Sequence, residues 1–150
     1  MNYSGLILND ITAAPGLCVS FFTQGCPHKC KGCHNPETWN FDGGKEFTSG
    51  TLNEIINGLT AQGIQRNLCI MGGEPLCDEN AFLTCLVVRE VKKKVPEAKI
   101  YIWTGYTYEQ LMQRPTPHVQ NILELADILV DGPYIEEERD VTLQMRGSRN

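Results

Sequence analysis

The chain has 150 residues and a formal charge of −5, with 41% hydrophobic and 21% charged residues. That length fits a single domain, residues 1–150, able to bury roughly 70% of the surface its unfolded chain would expose, and the composition excludes a disordered or membrane-embedded protein. The negative charge argues against a nucleic-acid partner, which would need a basic surface.

The one basic run, Lys92-Lys93-Lys94, closes a helical pattern, where positive charge offsets the helix dipole. No apolar run reaches the length of a membrane span, and Met1-Asn2-Tyr3-Ser4 has neither the basic nor the apolar region of a signal peptide. A cytoplasmic protein is expected. Seven cysteines cannot all pair, and three of them fall within eight residues, so metal ligation ranks above disulfides.

Residues 17–23, rich in β-formers and entered through Pro15-Gly16, predict a strand ending at Gln24-Gly25. Leu52, Ile55, Ile56 and Leu59 recur at helical spacing, with Thr51 and Glu54 placed as a capping box and Gly63 as the stop. The short apolar run 68–71 before Gly72-Gly73 reads as a buried strand. Leu83, Val87, Val91 and Val95 predict a second helix ended by Pro96, and 100–103 a third strand stopping at Thr104-Gly105. Val119, Ile122, Leu123 and Ala126 repeat the helix pattern before a fourth strand at 127–131.

Alternating strands and helices imply an α/β fold of right-handed βαβ units around a mostly parallel sheet. Four units are too few for a closed eight-stranded barrel, so an open sheet or partial barrel is expected. In such folds the C-terminal strand ends share one edge, where ligands bind. Gly25-Cys26, Gly72-Gly73-Glu74-Pro75, Thr104-Gly105 and Asp131-Gly132 all follow predicted strands and are expected to converge there.

Cys26, Cys30 and Cys33 let one tight loop offer three thiolates to a 4Fe-4S cluster, leaving a fourth iron for an outside ligand. Two binding-module alternatives remain: a zinc site completed by His28 or His34, or an electron carrier using Cys18 or Cys77 as fourth ligand. Cys18, Cys69 and Cys85 otherwise read as small buried hydrophobes, and Cys77 likewise.

The run from Gly25 through Cys26, Cys30 and Cys33 to His34-Asn35-Pro36-Glu37-Thr38-Trp39, followed by Gly72-Gly73-Glu74-Pro75, resembles the radical S-adenosylmethionine superfamily, and within it the activating enzymes of glycyl radical enzymes. Trp103-Thr104-Gly105-Tyr106, Val130-Asp131-Gly132-Pro133 and Arg146-Gly147-Ser148 are most similar to the branch that serves anaerobic ribonucleoside-triphosphate reductase.

The resemblance implies a partial, open (β/α) barrel of the radical S-adenosylmethionine type. It also implies a 4Fe-4S cluster on the catalytic Cys26, Cys30 and Cys33, and S-adenosylmethionine on the vacant iron. The cofactor-contacting set would be Gly32, Cys33, His34, Gly72, Gly73, Glu74, Thr104 and Asp131. Gly72 and Gly73 would let the backbone approach the cofactor, and Glu74 would accept from its ammonium. Thr104 and Asp131 would reach the methionine carboxylate or ribose, unless they serve as a cap or turn residue.

The implied partner is a glycyl radical enzyme, first the large subunit of anaerobic ribonucleoside-triphosphate reductase, with pyruvate formate-lyase as the alternative. Electrons would come from reduced flavodoxin or a similar donor, steered by Lys29 and Lys31 unless these are simply solvated. Gly32 stands where many superfamily members carry an aromatic residue, so adenine would pack on Trp39 or Phe22. His28 and His34 would donate hydrogen bonds near the cluster or serve in loop packing.

Overall fold

A computed structural model describes residues 1–113 and 116–150. Six strands form one mixed sheet: β1 (Asn2–Asp10), β2 (Cys18–Thr23), β3 (Lys45–Glu46), β4 (Asn67–Gly72), β5 (Ile100–Trp103) and β6 (Ile128–Val130), in the order β3-β1-β2-β4-β5-β6. The four strands anticipated from sequence are β2, β4, β5 and β6, and each pairs with the next in parallel.

The expectation of a mostly parallel sheet needs correction at one side. β1 pairs antiparallel with both β2 and β3, so the sheet is mixed. β1 escapes sequence reading because Ser4-Gly5 and Asn9-Asp10 look like turns. The structure absorbs both as register shifts, between Tyr3 and Gly5 and between Ile7 and Asp10, where bulges let a strand continue.

Helices α1 (Ser49–Gly58), α2 (Asp78–Lys94), α3 (Tyr108–Met112) and α4 (Pro117–Leu125) fill the crossovers. Helix α1 starts earlier than the Thr51/Glu54 box implied. Thr48 is its N-cap: Thr51 N donates to Thr48 Oγ1 at 3.3 Å, and Thr48 N to Thr51 Oγ1 at 3.2 Å. A threonine at the third helical position thus does the work usually given to Glu. The helix ends at Gly58, and Gly63 closes a separate turn at a φ of +71°.

Alternation along the central strands divides the core between the two faces of the sheet. Val19, Phe21, Leu68, Ile70, Ile100 and Ile102 point to one face and bury against Ile55 and Leu59, the Leu83–Val91 stripe of α2, and Val119 and Ile122 of α4. Cys18, Cys69 and Tyr101 point to the other, with Met71, Trp103 and Met145 packed on them. The helices occupy the first face, and loops together with the C-terminal segment cover the second. Among the described residues no helix is long and apolar enough to cross a membrane.

Two polar anchors hold the slab's edges. Arg66, only 2% exposed, donates from Nε and Nη2 to Asn9 Oδ1 at 3.1 and 2.9 Å, and from Nη1 to the carbonyls of Ala61 and Ile64 at 2.9 Å each. It ties the unforeseen β1 to the turn before β4. Lys92 reaches across to Asp127 Oδ2 at 2.7 Å, which also accepts from Ile100 N at 2.8 Å, so that lysine does more than offset the dipole of α2. Burial opposes the charge on Asp127, but Lys92 and the Ile100 N–H outweigh it and hold the carboxyl below its usual range.

Arg66→Ala should leave Asn9 Oδ1 and the Ile64 carbonyl without this donor, reduce the Ala61 carbonyl to its bond from Ile64 N, and cost about 3 kcal/mol, read as a drop in the urea midpoint. A carboxyl with a depressed folded pKa adds stability that is present above its unfolded pKa of about 4 and lost as pH falls through the folded value. Urea midpoints should therefore fall on acidification below about pH 4, and Asp127→Asn should flatten that limb.

Candidate cofactor site

A cavity of ≈ 270 Å³ lies at the C-terminal ends of β4, β5 and β6. The parallel register sets Trp103 beside Val130, and Met71 follows the Ile70–Ile102 pair on β4; these three apolar residues border it. Cys26, Cys30 and Cys33 border it from the loop after β2, Gly72 to Glu74 from the loop after β4, Thr104 and Gly105 after β5, and Asp131 and Gly132 after β6. The anticipated convergence of four loops is therefore observed.

Glu74 is the knot that joins them. Its carboxylate is fully buried and accepts four hydrogen-bonding contacts. Oε1 meets Gly105 N and His28 Nε2, each at 2.7 Å, and Oε2 takes Leu76 N at 2.9 Å and Thr104 Oγ1 at 2.7 Å. A buried carboxylate is tolerable only when its lone pairs are satisfied, and here the satisfying groups come from three different loops. The His28 ring also packs edge-on against Tyr106, centroids 4.6 Å apart.

The glycines serve this junction in a way the sequence did not suggest. A Cβ on Gly73 would sit 2.3 Å from Gly25 O, and one on Gly72, at a φ of +106°, would sit 2.6 Å from Thr23 N. The close approach they permit is to the backbone at the end of β2 for Gly72 and of Gly25, at the start of the cysteine loop, for Gly73. Glu74 N donates to Gly25 O at 2.8 Å, and Asn80 Nδ2 on α2 bridges the carbonyls of Gln24, Gly25 and Glu74 at 3.0, 3.1 and 2.9 Å. Asn80 and Gln24, both buried, were missed. The available signal was a polar amide in the first turn of a helix with an apolar face.

The other named residues divide. Thr104 Oγ1 is occupied by Glu74, and also accepts from Tyr106 N at 3.2 Å. Asp131 borders the cavity, yet its Oδ2 accepts from Tyr108 N at 2.7 Å at the start of α3, the cap role held open above. His34 is exposed and borders the cavity, its ring 5.4 Å from that of Tyr134. Gly32 is not among the bordering residues. It adopts a φ of +76°, and a Cβ there would lie 2.7 Å from Glu136 Oε1. Trp39 borders the cavity, and Phe22 does not.

The C-terminal segment supplies a wall that sequence reading left without a role. Tyr134, Arg146, Gly147, Ser148 and Asn150 all border the cavity. Trp103 Nε1 holds the segment by donating to Met145 O at 2.6 Å, and Ser148 Oγ accepts from Ile135 N at 3.2 Å. Lys31 lies 3.7 and 3.6 Å from Glu136 and Glu137 of the same segment, so its charge is partly matched, whereas Lys29 stays exposed.

All seven cysteines are free thiols. Burial pushes the Cys77 thiol up to about 12 and raises those of Cys18, Cys69 and Cys85, which favours the neutral thiol at all four. Burial also raises Cys26, with the Glu74 charge adding to it. Among the described residues no three His, Cys, Asp or Glu side chains close around a single ion, as a tetrahedral zinc shell would require. A cluster asks for a different arrangement, with each thiolate on its own iron. Three thiols bordering one largely apolar cavity, beside a buried Trp39 N–H that has no partner, fit it.

Comparison with known proteins agrees with this chemistry. Residues 13–150 match the family model described as a 4Fe-4S single cluster domain. Anaerobic ribonucleoside-triphosphate reductase-activating proteins align along the whole chain. That of Vibrio cholerae is 36% identical over 95% of its own length, that of Escherichia coli K12 33% over 96%, and that of Enterobacteria phage T4 37% over 91%. The chain belongs to the family of anaerobic ribonucleoside-triphosphate reductase-activating proteins, built on that single-cluster domain.

Glu74→Gln keeps the size of the side chain but turns an NH2 toward two of the four donors. It should lower stability by about 2 kcal/mol, seen as a reduced melting temperature of the metal-free protein.

Proposed function

We propose that this chain is a radical S-adenosylmethionine enzyme that installs a glycyl radical on anaerobic ribonucleoside-triphosphate reductase. The observation that carries the reading is the placement of three thiols on one cavity whose other walls are the loops tied by Glu74. In this reading Cys26, Cys30 and Cys33 hold a 4Fe-4S cluster, and S-adenosylmethionine occupies the rest of the cavity. When bound, these groups supply one-electron cleavage of the sulfonium and removal of a hydrogen atom from a glycine α-carbon of the partner.

The chain's own residues bind, orient and shield. Cys26 must lose its proton on loading, and because burial favours the neutral thiol, loading should be easier at higher pH. Met71, Trp103 and Val130 give the adenine an apolar floor and displace water from it, with Trp39 opposite on the cysteine segment. Gly72 and Gly73 keep the strand end close to the cluster loop, and their backbone faces the cofactor. Glu74 acts mainly by fixing His28, Thr104 and Gly105, since its lone pairs are already engaged. Asp131 and His34, both bordering the cavity, remain able to contact the nucleotide from the rim. Gly32 contributes the sharp turn that brings Cys30 and Cys33 to the same side.

The sheet, its loop-covered face and the C-terminal wall act together as one domain over residues 1–150, an open (β/α) partial barrel whose unclosed side admits a glycine-bearing loop. Reduced flavodoxin, or another acidic donor, would meet the exposed Lys29. Seven free cysteines suit the reducing cytoplasm.

Anaerobically reconstituted protein should be brown, contain iron and sulfide, and form 5'-deoxyadenosine from S-adenosylmethionine after reduction. With the reductase it should produce a glycine-centred paramagnetic doublet, and with pyruvate formate-lyase a weaker one or none. Cys30→Ala should abolish the colour and the cleavage together; cleavage at the wild-type rate in that variant would refute the ligand assignment.

A further inference from the structure

Two tryptophans border the cavity, Trp39 and Trp103. An indole N–H donates and never accepts. That of Trp103 is bonded to Met145 O. That of Trp39 is shut off from solvent and lacks any hydrogen-bond partner, the one buried side-chain polar atom in that condition among the described residues. Leaving a buried donor unmade costs about 1–3 kcal/mol. A protein that satisfies its buried Glu74, Asn80 and Arg66 side chains and leaves this one open has a use for it.

Its position names the use. Trp39 follows the short turn Pro36–Thr38, and the segment 35–39 is the part of the wall bound most directly to the cysteines. Gly25 N donates to Thr38 O at 2.6 Å, Cys26 N to Trp39 O at 3.2 Å, and Asn35 N to the sulfur of Cys33 at 3.4 Å. The segment thus already holds the backbone of the first cysteine and gives one N–H to the sulfur of the third. The strand-end loops that also border the cavity engage their Glu74, Thr104 and Asp131 side chains with one another, with His28 and with backbone N–H groups.

We propose that the Trp39 indole N–H is held for a sulfur of the cluster, a cysteine thiolate or a bridging sulfide, and that this hydrogen bond raises the cluster's reduction potential. The inference rests on the cluster reading given above. Hydrogen bonds to sulfur tune iron–sulfur potentials, and a donor favours the reduced state because that state carries more negative charge on its sulfurs. Trp39 is in this sense a positioning and tuning residue for the metal group.

The test compares the anaerobically reconstituted full chain with Trp39→Phe, which keeps an aromatic ring and removes the N–H. Iron and sulfide are assayed first, then the midpoint potential by spectroelectrochemical titration without S-adenosylmethionine. Both proteins should hold equal iron and sulfide, and the variant's potential should shift to a more negative value. Pulsed paramagnetic resonance of reduced protein carrying indole-15N tryptophan should reveal a nitrogen coupling that the variant lacks.

Equal cluster content with an unchanged potential overturns the proposal. So does a shift or coupling that appears only after S-adenosylmethionine is added, which would assign the donor to the nucleotide. If the variant fails to load, labelled Trp103→Phe protein decides: a 15N coupling there, which only Trp39 can supply, supports the proposal and its absence overturns it. Wild-type protein without iron and sulfide would instead sink the cluster reading itself, a result separable by the assay that precedes the titration.

Discussion

The cavity depends on a single buried anion. Glu74 lies at the end of β4, fully removed from water, and an unsatisfied carboxylate there would not be tolerated. Its four lone-pair partners come from its own loop, from the cysteine loop through His28, and from the loop after β5 through Thr104 and Gly105. Satisfying one charge therefore fixes the mutual positions of three otherwise independent segments. Asn80 repeats the device with the opposite polarity, one amide donating to three carbonyls at the same junction.

The two glycines before Glu74 belong to the same construction. For the carboxylate to reach His28, the β4 loop must lie against Gly25, and a Cβ at Gly73 would strike the Gly25 carbonyl. Backbone contact and charge satisfaction are thus coupled. The cysteine loop is held at its start by Gly25 and Cys26, bonded to Thr38 and Trp39, and in its middle by His28, so the thiols extend from a segment pinned on both sides of Cys26.

What the sequence disclosed follows from how local each signal is. β2, β4 and β5 were readable because each is an apolar run ended by a glycine-containing turn, and α2 because its valines recur along one face. β1 was hidden by Ser4-Gly5 and Asn9-Asp10, and α3, at five residues, is too short for periodicity. The start of α1 was misplaced because Thr48 and Thr51 cap each other, where a glutamate was sought.

At the site, Cys26, Cys30 and Cys33 were legible because three cysteines within eight residues stand apart from the other four, and all three border the cavity. The partners of Glu74 did not, since His28 and Thr104 are 46 and 30 residues away in sequence. The wall formed by Arg146 to Ser148 was recognisable only as a resemblance, without a place in the fold.

The division of the core between the two faces of the sheet bears on the order of assembly. The larger apolar cluster, from Val19 and Phe21 through α2 to Ile122, includes none of the three loop cysteines. None of its apolar contacts therefore runs through those three side chains. Unlike small zinc domains, in which metal binding and folding are one event, this chain has the means to fold first and be metallated afterwards, with the cluster delivered to a finished scaffold.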